Sequence, residues 1–192
     1  MPKMISTLIF IALVTLFITV ASAQEKKPVE PPNPVINSYQ ELLWALNVFE
    51  GRIVEMAEDF PEDKYNFKAQ KDERTFGENL VHIAGVNYTL LSSIKGTKMG
   101  PTVKGDSIYK LFPTKSDIVK FLKQSITDGE ELIKAQGDSG LTREIKYPWA
   151  NQMVHGWFGW TNMLVHATDH YGQLVVYYRL NGMIPPASRP RK

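Results

Sequence analysis

The sequence predicts an all-α protein, a four-helix bundle with long crossover connections, over residues 35–188. Four long segments repeat apolar residues at the three-four spacing of one helix face, and two of the connections between them are long. No segment alternates apolar and polar residues far enough to indicate a sheet. With 192 residues, 43% of them hydrophobic, the chain is long enough to form one domain with its own core.

The first 23 residues have the pattern of a secretory signal peptide. Lys3 precedes an apolar core at residues 8–20, and the small residues Ala21-Ser22-Ala23 follow as a cleavage site. The alternative is an uncleaved anchor, but a helix that spans a bilayer needs about 20 apolar residues. Cleavage predicts an exported protein, periplasmic or secreted, with no stable membrane span. Residues 24–34 then form a proline-rich linker.

The first two predicted helices each have a cap or a stop signal. Asn37 or Ser38 caps the first helix and Pro61 closes it, while the second helix covers residues 75–95 and Gly96 ends it. The first apolar stripe is Tyr39, Leu42, Leu43, Leu46, Phe49, Ile53, Met56, Ala57 and Phe60. The second stripe is Phe76, Leu80, Ile83, Leu90, Leu91 and Ile94.

A long connection, residues 96–115, leads to the third helix. Ser116 is its expected N-cap, and residues 137–140 are expected to break it. Its inward residues are Ile118, Phe121, Leu122, Leu132 and Ile133. The fourth helix, residues 154–180, is apolar around most of its circumference, so we expect it to be the most buried. Asn181 and Gly182 terminate it.

Two remaining features have simple structural interpretations. The aromatic residues Trp149, Trp157, Phe158 and Trp160 are expected in the core or in the wall of a pocket. Residues 189–192 form a basic tail that is expected to be solvated.

Composition excludes several classes of function. The chain contains no cysteine, so it forms no disulfide, thiolate metal site or cysteine nucleophile. Its formal net charge of +2 is too small for a broad nucleic-acid surface, so no nucleic-acid partner is expected.

The candidate functional residues are histidines. His166 and His170 are four residues apart on the fourth helix, so both rings lie on one face about 6 Å apart, within reach of one cation. His82 is the natural third ligand, because it lies about 120° from the centre of its helix's apolar stripe, at the edge of a groove. His155 precedes His166 by three turns, about 16 Å, which excludes it from the same site.

Other interpretations of the histidines stay open. Amphipathic helices also produce an HxxxH spacing by accident, and Ala167 replaces the glutamate that a metalloprotease HExxH motif needs. Glu78, one turn before His82, is either an acceptor behind that ligand or an exposed helix charge.

Two motifs and one further stretch resemble a known family. TFGENLVHIAGVN around His82 and HATDHYGQLVVYYRLNGMIPPAS around His166 and His170 resemble the DinB/YfiT-like superfamily of metal-binding four-helix bundles. MAEDFPEDKYNF is similar to the exported branch of that family, and the likeness extends over residues 35–188. In the family, one histidine of the second helix and an HxxxH pair of a later helix bind a divalent metal. The resemblance therefore implies the ligands His82, His166 and His170.

The resemblance leaves the reaction open. Characterised branches of the family include thiol-dependent S-transferases, a thiol-dependent isomerase and a proposed hydrolase. The thiols that those branches use are intracellular, so the predicted export argues against the transferase alternative.

The leading hypothesis is a metal-dependent hydrolase acting on an unidentified small molecule. Three histidines leave one open position on a tetrahedral metal, the pattern of a catalytic site. Zinc or nickel is expected, and iron or cobalt also fits imidazole ligands. No general base stands out, because Asp169 points about 100° away from His170, while Asn162 and Gln173 are candidates to contact ligands or substrate.

Two alternatives remain at this stage. The bundle could bind a metal or a small ligand without turnover, or the histidines could be structural and the protein could act through partner contacts. Pairing into a homodimer also stays open, because no outer apolar strip is clear enough to decide it.

Overall fold

The fold is a four-helix bundle with a small hairpin, as the computed structural model shows for residues 36–97 and 105–190. The helices are α1 (Ser38–Asp59), α2 (Phe76–Lys95), α3 (Lys115–Thr142) and α4 (Gly156–Leu180). Strands β1 (Glu144–Lys146) and β2 (Met153–His155) pair antiparallel between α3 and α4. The predicted signal peptide and linker lie outside the described residues, as do the last two residues of the predicted basic tail.

The helices pack in a crossed order. α1 packs mainly against α3 and α4, and α2 packs against the same two helices, so α1 and α2 lie diagonally across the bundle. Long connections make this order possible, because a tight hairpin would place consecutive helices side by side. The prediction of an all-α bundle with crossover connections is confirmed. Within the described residues, none of the helices combines the length and the apolarity that a bilayer span requires.

Two apolar clusters form the core. The first contains a stacked pair of rings, Phe60 and Phe76, whose centroids are 3.8 Å apart, with Tyr178 packed beside them. The second surrounds Trp160, which is fully buried against residues of α2 such as Leu90 and Ile94. All six residues of the stripe predicted for the second helix are buried.

Local hydrogen bonds set the starts of α2 and α3. The Thr75 hydroxyl accepts a hydrogen bond from the backbone nitrogen of Glu78 at 3.1 Å, and the Glu78 carboxylate accepts one from the Thr75 nitrogen at 2.7 Å. Glu78 is therefore part of a capping box. α3 starts two residues earlier than predicted, because Thr114 caps it in the same way with Asp117 and leaves Ser116 inside the helix.

The ends of α3 and the start of α4 also differ from the prediction. A non-helical residue, Gly137, interrupts α3 where a break was predicted, but helical turns continue to Thr142. α4 begins at Gly156 and not at Val154, because residues 153–155 pair with β1. A strand of three residues is too short for alternation to reveal it in the sequence.

The prediction that the fourth helix is the most buried is wrong. More residues are buried in α2, which α3, α4, β1 and the 105–111 segment all contact. α4 leaves one side in solvent, where Val165 and Val176 are each about half exposed.

Among the four aromatic residues expected in the core or in the wall of a pocket, Trp160 lies in the core. Trp149, Trp157 and Phe158 are 52%, 50% and 38% exposed, so these three are not core residues. In the predicted basic tail, Arg189 donates to Asp59 through two nitrogens, one of them at 2.8 Å, so this first residue of the tail is bound to α1.

Candidate metal centre

His82 lies on the second turn of α2, after the capping box that fixes the start of that helix. Its side chain is half-buried, consistent with a position at the edge of the apolar stripe. The neighbouring residues Val81 and Ile83 are fully in the core, so the ring of His82 emerges from a well-packed stretch of helix.

His166 and His170 lie one turn apart on α4, which packs directly against α2. His166 is half-buried and His170 is only 6% exposed. Ala167, on the same turn, is fully buried, and this small side chain belongs to the core cluster shared with α2.

The three rings converge on one point. One ring nitrogen from each of His82, His166 and His170 lies within 4.8 Å of the others. The ring centroids are 4.4–5.1 Å apart, and the Nε2 atoms of His82 and His166 are separated by 3.2 Å. The structure therefore assembles the group that the sequence predicted, from residues 84 positions apart. We call these three residues the triad.

Burial keeps the triad neutral. The pKa of His82 and of His166 is lowered to about 4, and that of His170 to about 3, chiefly because burial disfavours the charged form. The charge of Arg74 contributes to all three shifts, the other two histidines contribute to that of His170, and Asp169 opposes the shift of His166. Neutral imidazole is the form that binds metals, so at neutral pH no proton has to leave before a cation enters.

The nitrogen atoms of the triad fit a metal ion. Two nitrogens bound to a tetrahedral zinc at about 2.0–2.1 Å are about 3.3 Å apart, close to the 3.2 Å between His82 and His166. The Nδ1 atoms of His166 and His170 are buried and have no hydrogen-bond partner among the described residues. Three converging, neutral imidazoles with no carboxylate among them could hold a borderline-soft divalent ion.

Other residues named by the sequence lie outside the triad. His155 caps α4, is exposed and pairs with Glu144 in the hairpin, as its distance along the helix required. Asn162 donates to the hydroxyl of Tyr147 at 3.4 Å, and Gln173 is exposed. Asp169 is exposed too and is not part of the converging group.

Sequence reasoning missed Arg74, whose charge acts on the whole triad. It precedes α2 in a loop, where no helical periodicity relates it to the histidines. Its Nε atom donates to the Tyr109 hydroxyl at 2.8 Å. Tyr109 belongs to the long connection between α2 and α3, so the position of the Arg74 side chain depends on that connection.

Comparison with known proteins agrees with this fold. A family model described as the DinB superfamily matches residues 45–174. The chain belongs to the DinB superfamily. No curated protein gives a match to the sequence.

Three solved structures share the fold. A DinB-like protein from Bacillus cereus has 17% identity and a TM-score of 0.64, covering 77% of this chain and 95% of that one. A DinB-like protein, YjoA, from Bacillus subtilis has 20% identity and a TM-score of 0.60, covering 79% and 99%. A conserved protein from Enterococcus faecalis has 15% identity and a TM-score of 0.62, covering 76% and 98%. At these identities the likeness concerns the fold.

Proposed function

We propose that the protein binds one divalent metal ion through His82, His166 and His170. The observation that carries this proposal is the convergence of three neutral ring nitrogens within 4.8 Å, contributed by α2 and by α4, which pack against each other. The 3.2 Å between the Nε2 atoms of His82 and His166 is close to the separation of two nitrogens on one tetrahedral zinc, and the ring of His170 converges on the same point. Zinc or nickel is the expected ion, with iron or cobalt compatible with the same ligands.

The chemistry that best fits this site is hydrolysis of a small-molecule substrate. A divalent ion held by the three histidines would supply Lewis acidity and lower the pKa of water, the chemistry that hydrolysis needs. The chain holds the three rings on two packed helices, so their directions are fixed before the ion binds. Partial exposure of His82 and His166 leaves that side of the triad open to a substrate.

One observation favours metal binding without turnover as the second candidate. Metal-dependent hydrolysis usually relies on a positioned general base such as a carboxylate. Among the described residues, the converging group contains three histidines and no carboxylate. In this second candidate function the same three histidines bind the metal, but no substrate is converted.

Metal binding is tested by elemental analysis of the purified protein and of His166→Ala. We expect about one ion per chain in the parent and none in the variant. His155→Ala is the matched control, because this exposed histidine lies on the same part of the chain but outside the triad, and it should keep the ion. Equal metal content in all three proteins, or none after reloading with zinc and nickel, would contradict the ligand assignment.

Hydrolysis is tested separately on the metal-loaded protein. Ester, amide and lactone substrates should show turnover that disappears in His166→Ala and persists in His155→Ala. Full metal loading without turnover on any of these substrates favours the non-catalytic candidate.

We also propose that the protein is exported. The support is the pattern of residues 1–23 alone, a charged start, an apolar core and a small-residue cleavage site. Mass spectrometry of the protein from its source is expected to find an N-terminus at Gln24 in an extracytoplasmic fraction.

A further inference from the structure

Arg74, whose charge acts on all three histidines, is held in place by two different elements. It directly precedes Thr75, the cap of α2. Its backbone carbonyl accepts a hydrogen bond from the hydroxyl of Tyr177 on α4, which in turn accepts one from Asn79 at 3.1 Å. Its Nε atom donates to Tyr109 at 2.8 Å. Hydrogen bonds at both the backbone and the side chain restrict the conformations that this exposed arginine can adopt.

The anchoring segment runs along the part of α2 that carries His82. Ile108 reaches α2 one turn after His82, where its Cδ1 atom lies 3.6 Å from the position that a Cβ on Gly85 would occupy. The next residue, Tyr109, holds Arg74 before the start of the same helix. Residues 108 and 109 thus contact α2 at Gly85 and the chain just before α2 at Arg74, and His82 lies between these two points along the helix.

The guanidinium group of Arg74 has no carboxylate partner among the described residues. The ion pairs there are Lys123–Glu58, Lys134–Glu130 and Arg189–Asp59. Glu73, which precedes Arg74 in the chain, is exposed and forms none of these ion pairs, and Glu78 accepts from the Thr75 nitrogen. Because the triad itself is neutral, no negative charge within it balances the arginine.

We propose that Arg74 binds the substrate at this site and that the substrate carries a carboxylate or phosphate group. The inference rests on the proposed metal site, whose positive charge adds to that of the arginine. A guanidinium presents a planar fork of donors that matches both kinds of oxyanion. With Nε bound to Tyr109, its two terminal nitrogens remain to donate to the anion.

The experiment measures anion affinity in zinc-loaded protein of known metal content. Inorganic phosphate and acetate are titrated in separate calorimetric experiments at low ionic strength, where exposed charges are least screened. Arg74→Gln should raise the dissociation constant about tenfold or more, because hydrogen bonds to charged groups contribute about 1.5–3 kcal/mol. If the parent binds phosphate more tightly than acetate, the substrate group is a phosphate. If it binds acetate more tightly, the substrate group is a carboxylate.

Two further variants make the result specific. Arg179→Gln removes the same charge from an exposed position in the last turn of α4 and should change the dissociation constant less than about twofold. Tyr109→Phe removes only the hydroxyl that holds the Arg74 Nε atom, so it should weaken binding by a smaller factor than Arg74→Gln.

Each outcome decides the inference. Equal anion affinity in the parent, Arg74→Gln and Arg179→Gln would overturn the role of Arg74 while leaving the metal site intact. A zinc-loaded parent that binds neither anion would overturn the substrate class. A parent that takes up no divalent metal would overturn both the proposed function and this inference. Metal content is therefore measured before titration, so that loss of the metal site is distinguished from loss of anion binding alone.

Discussion

Glu50 is an acidic residue whose side chain is buried in the interior of the bundle. This carboxylic acid is 3% exposed on α1, where Asn87 donates to its Oε1 atom at 3.0 Å and also lies 3.3 Å from the Ser125 hydroxyl. Burial raises the pKa of Glu50 to about 7, although the hydrogen bond from Asn87 opposes the shift and the charge of Glu130 adds to it. Glu50 therefore titrates inside the folded protein close to neutral pH.

This raised pKa makes stability depend on pH. A group whose pKa is higher in the folded state stabilises the protein below its unfolded pKa of 4.5, and that stabilisation is lost as the pH rises through about 7. Relative to Glu50→Gln, the free energy of unfolding of the parent should fall by about 2–3 kcal/mol between pH 5 and pH 8. Urea unfolding of both proteins at the two pH values measures the difference.

Glu55→Gln is the control for this prediction. Glu55 is on the same helix and is exposed, so its substitution should leave the pH dependence of the parent unchanged. The triad titrates in the parent and in both variants, so its contribution cancels in the comparison. Parallel curves for the parent and Glu50→Gln would show that Glu50 is not held in a desolvated site.

At the scale of residues, the spacing of the histidines in the sequence predicted part of the site. The four-residue separation of His166 and His170 fixes a shared helix face, and both rings do face one point. The offset of His82 from its stripe predicted a groove edge, where the structure places it half-buried. Arg74 could not be predicted, because its place depends on contacts with Tyr109 and Tyr177, 35 and 103 positions away.

At the scale of elements, the glycine that ends α2 was predicted correctly, whereas the bounds of α3 and the start of α4 differ from the prediction. Gly96 ends α2 with φ of 72°, a left-handed conformation that costs other residues about 1–2 kcal/mol. Gly51 lies within α1, where a Cβ would meet nothing within 4 Å. Two glycines of one bundle thus have opposite expected responses to the same substitution.

We predict that Gly96→Ala lowers the free energy of unfolding by about 1 kcal/mol and that Gly51→Ala raises it by about 1 kcal/mol. The first change forces a side chain into the left-handed region, and the second reduces the conformational freedom of the unfolded chain in an exposed helical position. Denaturant unfolding at one pH measures both. Changes of the same sign would contradict the assignment of these positions to a helix end and a helix interior.

At the scale of the whole molecule, one close approach joins α3, the hairpin and α4. The backbone nitrogen of Gly156 donates to the carbonyl of Arg143 at 2.8 Å. A Cβ on Gly156 would lie 2.1 Å from the carbonyl oxygen of Gly140, which is backbone and cannot turn aside. This contact sets where α4 begins relative to the end of α3.

Gly156→Ala should therefore destabilise the protein by about 3 kcal/mol or more, since two backbone segments must separate to admit a methyl group. Gly172→Ala is the matched control, because it lies on the same helix, is exposed and has nothing within 4 Å of an added Cβ. Thermal unfolding compares the two. A similar transition temperature for both variants would show that α3 and α4 do not approach this closely.

The sequence by itself determined the helices, most of their inward faces and the three histidines. These features follow from local periodicity and capping, which a single segment carries without its neighbours. The tertiary structure decided the diagonal placement of α1 and α2, the hairpin, the greater burial of α2, and the positions of Arg74 and Glu50. The physical reason is that burial and charge at a residue depend on which distant segments pack against it, and no local pattern records that choice.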